Sequence, residues 1–192
     1  MTLTHLATGV KVIFAHDTEA ALLSAAALVN TGGRDGEGLP SLTALDQFLH
    51  TYGWTGQRQH DQAELRSVRA LRPRLRRIWE VDEDGVVETV NALLRESNAL
   101  PQLVRHDGWS YHLHATPPDA PLATRMAVEA AMAFVDVVRT GELRRLRVCE
   151  YPNCGNVVVD LSKNRSRRFC EAGCGNRAAV NAYRARRAAA RS

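Results

Sequence analysis

The sequence predicts an α+β protein: a predominantly helical N-terminal domain with one small β-hairpin, followed by a small C-terminal module that ends in a helix. Three observations predict it. Apolar residues recur at helical spacing in several segments between Thr18 and Thr140. Two short extended runs meet at Asp107-Gly108, a pair that supplies the φ > 0 positions of a tight hairpin turn. All four cysteines of the 192-residue chain fall between Cys149 and Cys174. A hydrophobic content of 45% with 24% charged residues is ordinary for a folded domain, so no large disordered region is expected.

The elements follow in order. Gly9 to Phe14 alternates β-branched residues and predicts a strand. Thr18 to Asn30 is rich in Ala and Leu and predicts a helix with Thr18 as its cap. Gly32 to Gly38 predicts a plain turn. No Gly-Lys-Ser/Thr follows, so it is not a phosphate loop. Ser41 to Thr51 predicts a helix with Leu42, Leu45, Phe48 and Leu49 inward, ended by Gly53. Asp61 to Trp79 predicts a longer helix that Pro73 should kink or divide. Its arginines 66, 69, 72, 74, 76 and 77 predict a solvated face, with a second nucleic-acid face as the rival reading.

Asp84 to Ser97 predicts a helix with Val87, Val90, Leu93 and Leu94 inward. The hairpin follows. His112 and His114 share one strand face there and, lacking further ligands nearby, predict exposed histidines rather than a metal site. Pro121 to Thr140 predicts a long helix with Met126, Val128, Ala130, Phe134, Val137 and Val138 inward, closed by Gly141. The expected division is a domain over 1–142 and a module over 143–192.

The cysteines read Cys149-x4-Cys154, a fifteen-residue gap, then Cys170-x3-Cys174. Two close pairs can surround one tetrahedral ion, so these four predict one structural Zn²⁺ per chain. Pro152, Gly155, Gly173 and Gly175 suit the turns of two knuckles, and Val157 to Val159 suits a short strand. The rival is a set of buried free thiols or a redox pair. Neither pair is Cys-x-x-Cys, which weakens the redox reading. Four thiolates leave no open position for a catalytic water. A segment this small needs metal to supply much of its folding energy.

The formal charge of +4 divides unevenly. Residues 144–192 hold 12 basic and 3 acidic residues, while 1–143 hold 13 basic and 18 acidic. A basic end on an acidic body points to a polyanionic partner, with docking on its own body as the alternative. The last segment, from Gly175, is rich in Ala and Arg and predicts a helix. At 100° per residue Arg177, Arg184, Arg187 and Arg191 share one arc. Lys163, Arg165, Arg167 and Arg168 precede Cys170 and could extend the same phosphate-contacting surface. Asn176 and Arg177 directly follow a ligand, so support of the metal knuckle competes with DNA contact for them.

These residues resemble a known family. Cys149-Glu-Tyr-Pro-Asn-Cys154, Asp160-Leu-Ser-Lys-Asn-Arg-Ser-Arg-Arg-Phe-Cys170 and Cys174-Gly-Asn-Arg177 resemble the CGNR zinc finger over about residues 143–187. Leu28-Val-Asn-Thr31 and the helix order resemble the ABATE domain. The Cys170–Cys174 spacing is one residue shorter than the finger's common form. The pairing resembles a stress-response transcriptional regulator and implies four cysteine ligands for zinc.

Three functions are in play. The first is a DNA-binding regulator whose helical body senses a small ligand or forms a homodimer. The second is a protein-interaction module. The third is an enzyme, which no nucleophile–base motif, cofactor loop or open metal set supports, so a non-enzyme is expected. No apolar run reaches the ~20 residues of a membrane span. The first residues lack a secretory leader, so a cytoplasmic protein without a membrane partner is expected.

Overall fold

The computed structural model describes residues 14–33, 36–105 and 111–190. The predicted strand at Gly9 lies outside them except for Phe14, which is buried. The Asp107-Gly108 turn and Arg191 also lie outside them. The expected class holds. Among the described residues the order is α1 (His16–Asn30), α2 (Leu42–Thr51), α3 (Gln62–Arg76), α4 (Glu83–Glu96), β1 (Gln102–Val104), β2 (His112–His114), α5 (Leu122–Arg139), β3 (Leu146–Val148), β4 (Val157–Val159) and α6 (Cys174–Ala189). Each strand pair is antiparallel and forms its own two-stranded sheet.

α5 is the central helix. Leu122, Met126, Val128, Ala131, Phe134 and Val137 are all buried, so this helix is apolar on nearly every side. Such a helix must be covered all round, and α1, α3 and α4 pack against it. Its alanines let those neighbours approach closely. Phe134 meets Trp79 edge to face at 5.3 Å. Ser41 caps α2 by accepting from the Ala44 amide, and Asp61 caps α3 by accepting from Glu64, which fixes both starts.

Several expectations are corrected. Thr18 does not cap α1; it lies inside the helix, buried, and its hydroxyl donates to Asp136 Oδ2 of α5 at 2.7 Å. α3 runs through Pro73 and ends in a 3-10 turn over Arg77–Trp79. Pro73 is exposed, where water can meet the carbonyl that loses its partner. In α4 Val86 is buried and Val87 exposed, a shift of one position from the predicted face. The arginines of α3 are not simply solvated. Arg72 is buried against Glu37 at 2.7 and 2.8 Å, Arg74 pairs with Glu96 at 2.6 Å and Arg76 with Glu80 at 2.7 Å. His112 and His114 are half-buried and face the helices, whereas Leu103 and Leu113 take the outer face of that hairpin.

β4 joins the two parts of the chain. Side chains alternate along a strand, and both faces of Val157-Val158-Val159 are buried. Val157 and Val159 belong to the core of the helical body, while Val158 packs against the four cysteines. Polar clamps hold the strand in place. Asn30, the last residue of α1, donates from Nδ2 to the Val157 carbonyl at 2.9 Å and accepts the Val157 amide at 2.8 Å. The Trp79 indole donates to the Val158 carbonyl at 3.1 Å, and Arg76 to that of Gly155 at 2.8 Å. The hairpin of the C-terminal module is therefore continuous with the core of the helical body.

Candidate metal centre

The four cysteines are supplied by two short structures. β3 leads into Cys149, and the chain turns through Asn153 and Gly155, at φ 59° and 71°, to bring Cys154 back beside it. The Cys149 amide closes this turn on the Asn156 carbonyl at 2.8 Å. The second pair sits where the loop after β4 enters α6. Gly173, at φ 74°, is the residue before the helix, and Cys174 is its first residue. Gly175, read from sequence as a turn residue, lies inside α6 instead.

All four sulfurs lie within 4.8 Å of one another, and all four cysteines are buried. Cys154 and Cys170, Cys170 and Cys174, and Cys174 and Cys154 have sulfurs 3.6, 3.5 and 3.4 Å apart. Those separations are far too long for a disulfide and close to the ~3.8 Å edge of a tetrahedron built on Zn–S bonds of about 2.3 Å. Donors point at the sulfurs. The Cys170 amide reaches Cys149 Sγ at 3.3 Å, Asn156 Nδ2 reaches Cys170 Sγ at 3.6 Å, and Arg177 reaches Cys174 Sγ at 2.9 Å. These bonds suit thiolates. Burial pushes the Cys154 thiol up to about 12, so the protein alone would keep it protonated. A cation at the centre resolves that conflict, and the donor set fits zinc in a closed, structural site.

Arg177 therefore sits on the metal knuckle, and its guanidinium also lies over the Tyr151 ring, 5.2 Å from the centroid. Asn181 Nδ2 donates to the Tyr151 hydroxyl at 3.4 Å. Tyr151 thus ties the first turns of α6 to the first knuckle. Asn176 is exposed on α6. Asn156 and Tyr151 carry roles that the sequence reading missed. Only their position beside Cys154 could have drawn attention to them.

The loop before Cys170 is built around Asp160, which is fully buried. Its carboxylate accepts from the Ser162 amide at 2.9 Å and hydroxyl at 2.5 Å, and from the Arg167 amide at 2.9 Å. Burial alone would raise this carboxyl, but those bonds hold it below its ordinary value. Arg145, also buried, donates to Glu142 at 2.7 Å and to the carbonyls of Asp160 and Ser162.

The basic residues of this loop are mostly engaged. Arg165 pairs with Glu142 at 2.9 Å, Arg167 with Glu171 at 2.7 Å and Arg168 with Glu150 at 2.6 Å. Lys163 is exposed. The cations of α6 differ: every residue from Ala179 to Ala190 is exposed, Arg184 and Arg187 included. Arg187 lies over the ring of Tyr183, one turn earlier, at 5.8 Å.

Two family models match the chain. One, described as the CGNR zinc finger, covers residues 145–187 and so includes all four cysteines. The other, ABATE, described as a "putative stress-induced transcription regulator", covers residues 24–141, more than half of the chain. The chain belongs to the ABATE family. No curated protein matches it significantly. In the CGNR finger the residues behind the name fall into distinct places here. Cys174 is a buried sulfur, Gly175 and Asn176 follow on the helix, and Arg177 donates to Cys174. Asn30, from the Leu28-Val-Asn-Thr31 segment of the ABATE domain, is the residue that clamps β4. Among the described residues, no helix is long and apolar enough to cross a membrane.

Proposed function

We propose that this protein is a DNA-binding transcriptional regulator, non-enzymatic, holding one structural zinc on Cys149, Cys154, Cys170 and Cys174. α6 carries the DNA contact, with Arg184 and Arg187 meeting phosphates. The ABATE domain senses a small ligand or pairs two copies. The observation that carries this reading is the contrast in how cations are used. Arg165, Arg167 and Arg168 are neutralised by carboxylates, whereas α6 extends from the finger uncovered along most of its length. Arg177 is assigned to the knuckle and Lys163 to the edge of the DNA surface. Arginine makes bidentate contacts with phosphate, and a helix of this width enters the major groove.

The test is a mobility shift on genomic fragments at rising salt. Each phosphate contact adds about 0.9 to the logarithmic salt slope, so Arg184→Ala with Arg187→Ala should weaken binding and flatten the slope by about 2. An unchanged shift rejects α6 as the DNA-contacting helix. A second reading has its own observation: Val180 and Tyr183 are exposed beside the arginines, as on a protein-docking helix. Recovery of a protein partner without nucleic acid, lost on Tyr183→Ala, would favour it.

A further inference from the structure

The ABATE domain holds a cavity of about 400 Å³ between α1, the segment after α2, the β1–β2 hairpin and α5. Its walls include Asp17, Trp54, Val104, His112, His114 and Glu129. The polar wall has a specific geometry. His112 and His114 alternate with Leu113 on β2, so both imidazoles face the cavity side. Their rings are tilted by 74°, and the two Nε2 atoms approach to 3.2 Å. On the other edge of His114, Nδ1 lies 2.5 Å from Glu129 Oε1 of α5.

This is the arrangement of a metal-binding histidine pair with its supporting carboxylate. A carboxylate on Nδ1 fixes the Nδ1–H tautomer and leaves the lone pair of His114 on Nε2. A lone pair presented by His112 at the same separation would repel it unless a cation lay between them. Two nitrogens about 2.0–2.1 Å from one tetrahedral ion are about 3.3 Å apart, close to the spacing found here. We propose that His112 and His114 form a second metal site, distinct from the cysteine cluster, that takes an imidazole-preferring divalent ion such as Zn²⁺ or Ni²⁺. Glu129 is its positioning residue. Among the described residues these two imidazoles are the protein ligands, and water or an oxygen-bearing small molecule from the cavity would complete the shell. The finger's closed set of four sulfurs offers no open position. The assignment does not depend on DNA binding by α6.

A hydrogen bond from His112 to His114 would span the same distance without an ion, and a titration separates the two. The full chain, free of any histidine tag and with its cysteine site saturated with zinc, is titrated with Ni²⁺ by calorimetry. The expected result is about one Ni²⁺ per chain, abolished in His112→Ala and in His114→Ala. Both variants should keep one zinc per chain and the circular dichroism of the parent. Glu129→Gln should weaken Ni²⁺ binding by 10-fold or more at unchanged stoichiometry, within the roughly 10–100-fold range of such supporting groups. The proposal is overturned if the parent takes up no Ni²⁺, or if binding survives both histidine substitutions.

Discussion

Asn30→Ala should destabilise the protein and loosen its metal together. Val148 and Val157 face each other in the β3–β4 register, next to the Cys149–Asn156 bond. Bonded and non-bonded pairs alternate along an antiparallel ladder, so the Val157 N–H and C=O point away from β3. The Asn30 side chain meets both, at 2.8 and 2.9 Å. Val157 is only 1% exposed. Alanine would leave a buried donor and a buried acceptor without partners, at about 1–3 kcal/mol each. Water entering the gap favours the lower end, so about 3 kcal/mol is expected for the pair. For a protein of this size that is roughly 6–12 °C in melting temperature. Thermal unfolding of the zinc-loaded protein measures it. A second readout is zinc transfer to a chromogenic chelator, which should be faster in the variant. β4 carries Val158 against the cysteines, and Asn156, just before it, donates to Cys170. A melting shift under about 1 °C, with unchanged zinc release, would refute the clamp.

Other consequences can be measured separately. Cys170→Ser should reduce zinc from one per chain to none in gently purified protein, read by elemental analysis, and far-ultraviolet dichroism should retain the signal of α1 to α5. Arg177→Ala removes the donor to Cys174 and should accelerate zinc release about 10-fold or more, even in the absence of DNA. The Arg165 bond to Glu142, offsetting burial and joined by Arg145, holds that carboxyl down at about 2 against an ordinary 4.5. Its folded value is depressed, so its stabilisation is fully present above pH 4.5 and is lost as pH falls toward 2. Glu142→Gln, which removes the negative charge that the buried Arg145 and Arg165 share, should cost about 2–4 kcal/mol at neutral pH. Urea midpoints of parent and variant should converge on acidification, and a gap that stays constant down to pH 2 would contradict the pairing.

Local chemistry was legible in the sequence wherever it is written locally. The four cysteines, the Ser41 start and the helical periodicity of α2, α3 and α5 depend on neighbours within a few residues. What escaped depends on distant partners. Thr18 looks like a cap until Asp136 is seen beside it. Arg165 and Arg168 look like part of a phosphate surface until Glu142 and Glu150 pair with them. His112 and His114 look like exposed strand residues because nothing near them in sequence announces Glu129. The one-position error in α4 has a similar cause. Val86 and Val87 have equal hydropathy, and only the packing of that helix against α5 selects which one is buried.

The placement of β4 also sets an order of events in the making of the protein. Asn30 waits for a partner 127 positions later in the chain. As the chain leaves the ribosome, α1 emerges long before Val157 and Val159 can pack against it. The nascent helical body is therefore an unfinished core with apolar surface uncovered. Contacts this distant close slowly, and exposed apolar surface invites aggregation in the interval. Cys170 and Cys174 follow that strand, so metal capture comes only after it has been made. It locks a body whose last core strand has just arrived.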